Sequence, residues 1–98
     1  MKIIWDEEKN KLNIRKHKIS FEEAKTVFFD PNGKIISDPD HSDEEDRFII
    51  LGLSKMLHLL VVCHCYREND ETIRIFSARK ATRNEEKSYG GKRNEKRV

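Results

Sequence analysis

Ninety-eight residues suffice for one domain with a single core; 36% are hydrophobic and 39% charged, and the apolar residues fall in clusters, as a folded chain requires. The net charge of +2 hides an asymmetry: residues 1–46 carry 8 Lys/Arg against 12 Asp/Glu, net −4, and residues 47–98 carry 12 against 6, net +6, which suits one polyanionic and one basic partner. The longest apolar run, Leu59 to Cys63, is far below the ~20 residues of a membrane span, no signal-like stretch follows Met1, and Cys63 and Cys65 are ill placed for a disulfide, so a cytoplasmic protein is expected.

In chain order, Lys2 to Trp5 reads as a short strand, and Asp6 caps a polar helix through about Lys16 whose chief apolar anchors are Leu12 and Ile14. Ser20-Phe21-Glu22-Glu23 is a capping-box pattern, with the Glu23 carboxylate expected to reach back to the cap. It opens a second helix with an apolar stripe at Phe21, Ala24, Val27 and Phe28, stopped by Asp30-Pro31-Asn32-Gly33. Lys34 to Ser37 reads as a strand before the acidic loop 38–46. Runs 47–54 and 57–66 form a hairpin about Lys55-Met56, and a third strand, Thr72 to Ser77, completes an antiparallel meander. Thr82-Arg83-Asn84-Glu85 is a second capping box, opening a terminal helix that Gly90-Gly91 ends. The domain is taken as residues 1–91 and residues 92–98 as a basic, mobile tail. The resulting class is α+β: a short first strand, two helices on one face of a mostly antiparallel sheet, and a C-terminal helix, leaving the other sheet face open.

Metal chemistry is not expected. Strand alternation turns His64 away from Cys63 and Cys65 and groups Leu59, Val61, Cys63 and Cys65 on one face, Leu60, Val62, His64 and Tyr66 on the other, so the cysteines read as small core residues. The acidic loop lacks the glycine and the twelfth-position glutamate of a calcium loop. The informative stretch is Ile73 to Arg83, where a strand feeds a helix start through a cluster of cations. Amide N–H groups at Thr82 to Glu85 with the side chains of Arg79 and Arg83 would suit a phosphate. Glu85 and Tyr89, one helical turn apart, could face that site or serve as a capping carboxylate and a core-edge aromatic.

Three blocks in fixed order carry a family resemblance: Trp5-Asp6 through Asn13 with Lys16-His17 and Ile19 to Ala24; Asp38 to Phe48; and Ile73-Arg74-Ile75 with Ser77 to Thr82. Over residues 1–89 the chain resembles the BrnT toxins of bacterial type II toxin-antitoxin pairs, ribonucleases of RelE-like fold. Where that family has glycine after the first-helix histidine this chain has Lys18, so a non-glycine residue is expected in the helix-ending conformation.

The resemblance implies growth-inhibiting cleavage of RNA without cofactor or metal. It also implies neutralisation by a ribbon-helix-helix antitoxin, through which alone operator DNA is contacted. Cleavage through the 2′-hydroxyl requires that this group be oriented and deprotonated and that charge on the phosphorus be stabilised. Arg79 and Arg83 are the candidates for charge stabilisation and His17 and Glu45 for proton transfer, with His64 and Tyr89 in reserve and His41 or Glu45 bordering the open face. Arg47, Arg67, Arg74, Lys80 and Tyr89 are the candidate RNA-binding residues. The competing reading is a non-catalytic module that binds protein or nucleic acid and acts as co-repressor with a DNA-binding partner.

Overall fold

The computed structural model describes residues 1–41 and 47–89, His41 by its backbone alone; Glu45, Gly90-Gly91 and the 92–98 tail lie outside them. A five-stranded sheet is ordered β1-β5-β4-β3-β2, with β1 (Lys2–Trp5), β2 (Lys34–Ser37), β3 (Phe48–Leu53), β4 (Leu59–Arg67) and β5 (Thr72–Lys80). All neighbours are antiparallel except β1 with β5, a parallel pair that sequence reading did not foresee. Among the described residues there are three α-helices, α1 (Glu7–His17), α2 (Phe21–Thr26), which tightens into a 3-10 turn at Val27–Phe29, and α3 (Arg83–Lys87), with a further 3-10 turn at Pro39–His41. Among the described residues no helix is long and apolar enough to cross a membrane.

Two apolar clusters lie on opposite faces of the sheet. The larger joins Ile19, Phe21, Ala24 and Val27 to Ile50, Leu60, Val62, Ile73, Ile75 and Ala78, with Phe28 packed at its margin as the stripe predicts. The smaller holds Leu51, Leu59 and Val61, partly covered by Ala81 and Tyr89 on the α3 side. Central β4 is buried from Leu59 to Cys65 because it contributes to both. Its alternation is as read from the sequence: His64 lies with Phe28, Phe48 and Tyr66, and the buried free thiols Cys63 and Cys65 face the other way. Close packing also explains Gly52, where a Cβ would lie 2.7 Å from Val27 Cγ1.

Four expectations need correction. In α1, Leu12 and Ile14 are 56% and 40% exposed, and the helix is anchored instead by two buried asparagines, Asn10 and Asn13. Asn13 Nδ2 donates to the carbonyls of Ala78 (2.8 Å) and Ile19 (2.9 Å), while its Oδ1 accepts from the Ala78 N–H (3.0 Å). The reason is an exposed ladder: β1 pairs with β5 only through Ile75, and the polar groups of Ala78 beyond it must find partners elsewhere. Asn10 Oδ1 accepts from the Phe21 N–H at 2.8 Å, fixing the entry to α2.

Glu23 does not return to its own cap. Ser20 accepts from the Glu23 N–H, but the Glu23 carboxylate accepts from Ser54 Oγ (2.6 Å) and meets His58 Nδ1 (2.7 Å), tying α2 to the β3–β4 turn. Strand β5 runs to Lys80, past the expected Ser77. Helix α3 ends at Lys87, before the glycines, because the Ser88 hydroxyl donates to the Glu85 carbonyl and Lys34 Nζ donates to the Ser88 carbonyl. The helix-ending residue after His17 is Lys18, left-handed at φ 63° and ψ 24°, as the departure from glycine predicts.

Candidate active site

The site begins with a β-bulge. Cys63 pairs with Ser77 and His64 with Ile75, so Phe76 is the extra residue on β5. Strict alternation would place residue 79 on the side of Ile73 and Ile75, under the helices. The bulge inverts that parity, burying Ala78 in the helix-side core and turning Ser77 and Arg79 to the opposite face.

There Arg79 lines a cleft of about 170 Å³ together with Asp38, Pro39, Asp40, Ile49, Val61, Cys63, Ser77 and Glu85. Its guanidinium meets the Glu85 carboxylate end-on, Nη1 to Oε1 at 2.8 Å and Nη2 to Oε2 at 2.9 Å, and Nη1 also donates to the Lys80 carbonyl at 3.3 Å. This geometry leaves the side fork, Nε–H and the second Nη2 hydrogen, without a hydrogen-bond partner among the described residues. Glu85 is simultaneously the third helical residue of a complete capping box, accepting from the Thr82 N–H at 2.8 Å. The Arg79 guanidinium, followed by the Thr82 N–H, holds the Glu85 carboxyl down at about 2, and Glu85 with more distant Asp40 and Asp38 raises the Arg79 pKa. Glu85 is therefore a permanently ionised orienting group and a poor proton acceptor near neutrality.

On the far wall, buried Asp38 accepts from the Asp40 N–H at 3.0 Å and from the Cys63 thiol at 3.3 Å. Burial and the Asp38 carboxylate push the Cys63 thiol up to about 11, so it is a thiol at physiological pH and not a nucleophile. Arg47 lies over the ring of Phe76, its guanidinium carbon 3.9 Å from the centroid.

Arg47 and Arg79 are thus brought to one sheet face, and strand alternation adds Arg74, opposite Cys65, and exposed Arg67. Lys80, paired with Leu60, shares the helix-side parity and diverges from Arg79. Arg83 is exposed at the first position of α3, where the capping box takes the Thr82 and Glu85 amides. Tyr89 donates to Asp30 and packs on the smaller cluster as a core-edge aromatic, whereas Glu85 is both the capping carboxylate and a wall of the cleft. Half-buried His17 sits in the last turn of α1 and is not among the described residues lining the cleft. His64 is fully buried on the opposite face: Nδ1 donates to the Val62 carbonyl and Nε2 accepts from Tyr66, with desolvation lowering its pKa.

Sequence reading missed Cys63, Ser77 and Asp38 as cleft walls and Glu85 as the partner of Arg79. The capping-box pattern did locate Glu85, but no spacing rule reports a carboxylate meeting an arginine across a strand–turn–helix corner. The bulge that aims Arg79 has no residue signature here.

The family profile for "Ribonuclease toxin, BrnT, of type II toxin-antitoxin system" matches residues 5–85, spanning β2 to β5, both early helices and Glu85. The crystal structure of the Brucella abortus ribonuclease toxin BrnT is similar, with a TM-score of 0.66 at 27% identity over 85% of this chain and 99% of that one. No curated protein matches. A family match over most of the chain, with a solved BrnT toxin of the same fold, makes this chain a member of the BrnT family of ribonuclease toxins of type II toxin-antitoxin systems.

Proposed function

We propose that the protein is a metal-independent endoribonuclease of RelE-like architecture whose cleft around Arg79 receives the scissile phosphate. The observation that carries this reading is the end-on grip of Glu85 on Arg79, which leaves the planar side fork for two non-bridging phosphate oxygens. The 2′-hydroxyl attacks the adjacent phosphorus, the P–O5′ bond breaks, and a cyclic phosphate and a 5′-hydroxyl result. In this reading Arg79 carries the charge that builds on phosphorus, because it is held in place and needs no reorganisation. Arg47, Arg67 and Arg74 bind flanking phosphates, with Lys80 and Arg83 contributing from the rim. Of the two candidates for proton transfer, Glu45 keeps that role in this reading, while His17, in the last turn of α1 and outside the cleft lining, takes no part at Arg79. Inhibition comes from a ribbon-helix-helix antitoxin whose basic segment meets the acidic residues of the N-terminal half, and through which the pair binds operator DNA.

The test is incubation of purified protein with total RNA in EDTA, with and without antitoxin. Cleavage is expected from the wild type and a drop on the order of 10²–10³-fold for Arg79→Ala. A fully active Arg79→Ala protein would remove this arginine from the mechanism. One observation favours a second reading: Asp38, Asp40 and Glu85 surround Arg79, an environment unfavourable to a polyanion. That reading is a non-catalytic co-repressor module, and RNA left intact by folded, antitoxin-free protein would establish it.

A further inference from the structure

We propose that Phe76 and Arg47 form a nucleobase-stacking subsite beside the Arg79 cleft, an inference that rests on the ribonuclease reading above. Phe76 is half-buried, belongs to neither apolar cluster, and is the residue inserted by the bulge. A large aromatic side chain put on the cleft-bearing face by a local break in the ladder contributes little to the core, so its placement calls for another use. Arg47 lies over the ring at 3.9 Å, the spacing of a stacked guanidinium.

A guanidinium centred over an aromatic ring at this distance adds a second group to the ring's own stacking surface, and nucleobases stack on arginine planes as well as on aromatic rings. The location fits a nucleotide. Ser77, the next residue, lines the cleft, and Arg79 lies three residues along β5, roughly 10 Å at most by strand rise. A phosphate on the side fork of Arg79 therefore has its own or its neighbour's base within reach of the platform. Stacking is tolerant of base identity, so the subsite gives affinity and register more than sequence choice, with preference for purines from their larger ring area.

The experiment compares RNA oligonucleotides that carry either a base or an abasic ribonucleotide at each position flanking the cut, using wild type, Arg47→Lys and Phe76→Leu. Arg47→Lys keeps the charge and loses the plane; Phe76→Leu keeps an apolar side chain and loses the ring. At one flanking position the wild type favours the base-containing substrate, and either variant reduces that advantage about five- to hundredfold, chiefly through KM. In parallel, 2-aminopurine at that position is quenched on binding to the Arg79→Ala protein, and adding Arg47→Lys or Phe76→Leu removes the quench. If both folded variants cleave RNA and keep the wild-type base-to-abasic ratio at every position, the subsite is refuted while the ribonuclease reading stands. If the wild type neither binds nor cuts RNA, both fall together.

Discussion

Arg79 and Glu85 show how one residue's environment limits another's chemistry. Glu85 is ionised across the physiological range because the guanidinium and the Thr82 amide both donate to it. Its folded pKa of about 2 lies below the ordinary 4.5, so the unfolded chain binds the proton more readily and the linkage favours the folded state above about pH 4.5. That contribution is lost as pH falls from 4.5 towards 2. With Glu85 31% and Arg79 40% exposed, solvent screening keeps it to about 1–2 kcal/mol. Denaturant midpoints measured between pH 6 and pH 2.5 should therefore fall less steeply for Glu85→Gln than for wild type below about pH 4.5. Parallel curves would mean that the pair is not formed in solution. Buried His64 gives a separate acid loss at higher pH: its folded pKa is lowered, so the unfolded chain gains the proton first as pH drops below 6.5. The two windows distinguish the two groups.

At the scale of elements, a single asparagine replaces a strand. Parallel β1 stops at Trp5 so that Asp6 can cap α1, and α1 then runs beside the part of β5 that β1 leaves uncovered. Asn13 presents one donor and one acceptor to Ala78, as a neighbouring strand residue would, and a second donor bond closes the loop at Ile19. Because α1 contributes no buried apolar side chain, this amide is its main attachment to the sheet. Asn13→Ala leaves buried backbone groups of Ala78 and Ile19 unpaired and is expected to cost about 3 kcal/mol in urea unfolding. A loss below about 1 kcal/mol would show that water or a shift of α1 restores the bonds. The same substitution should lower ribonuclease activity, since Ala78 lies between the two cleft residues Ser77 and Arg79.

Across the whole molecule, the charge asymmetry resolves into a sheet face. Arg47, Arg67, Arg74 and Arg79 share the sheet face opposite the larger apolar cluster, while carboxylates from the N-terminal half, Asp38 and Asp40, close the cleft. If these arginines meet phosphates, RNA affinity of the Arg79→Ala protein should fall with salt, with a slope of roughly −2 for three remaining contacts on a single strand. Arg74→Ala should then reduce that slope by about 0.7, and an unchanged slope would take Arg74 off the RNA path.

Most elements and their caps are legible in the chain, since Asp6, Ser20 and Thr82 act locally, and so are the meander and the two faces of β4, since alternation needs no partner to be read. Three separated blocks sufficed for the family because their order and spacing are jointly specific. The tertiary structure alone decided what α1 rests on, where Glu23 and Glu85 point, and which face Arg79 takes. An amide's backbone partner 65 residues away, a carboxylate that leaves its cap for Ser54 or is shared between a cap and Arg79, and a one-residue bulge leave no period in the sequence. The candidate site depends on that bulge: the arginine is legible in the chain, but its direction is set only when β4 and β5 pair.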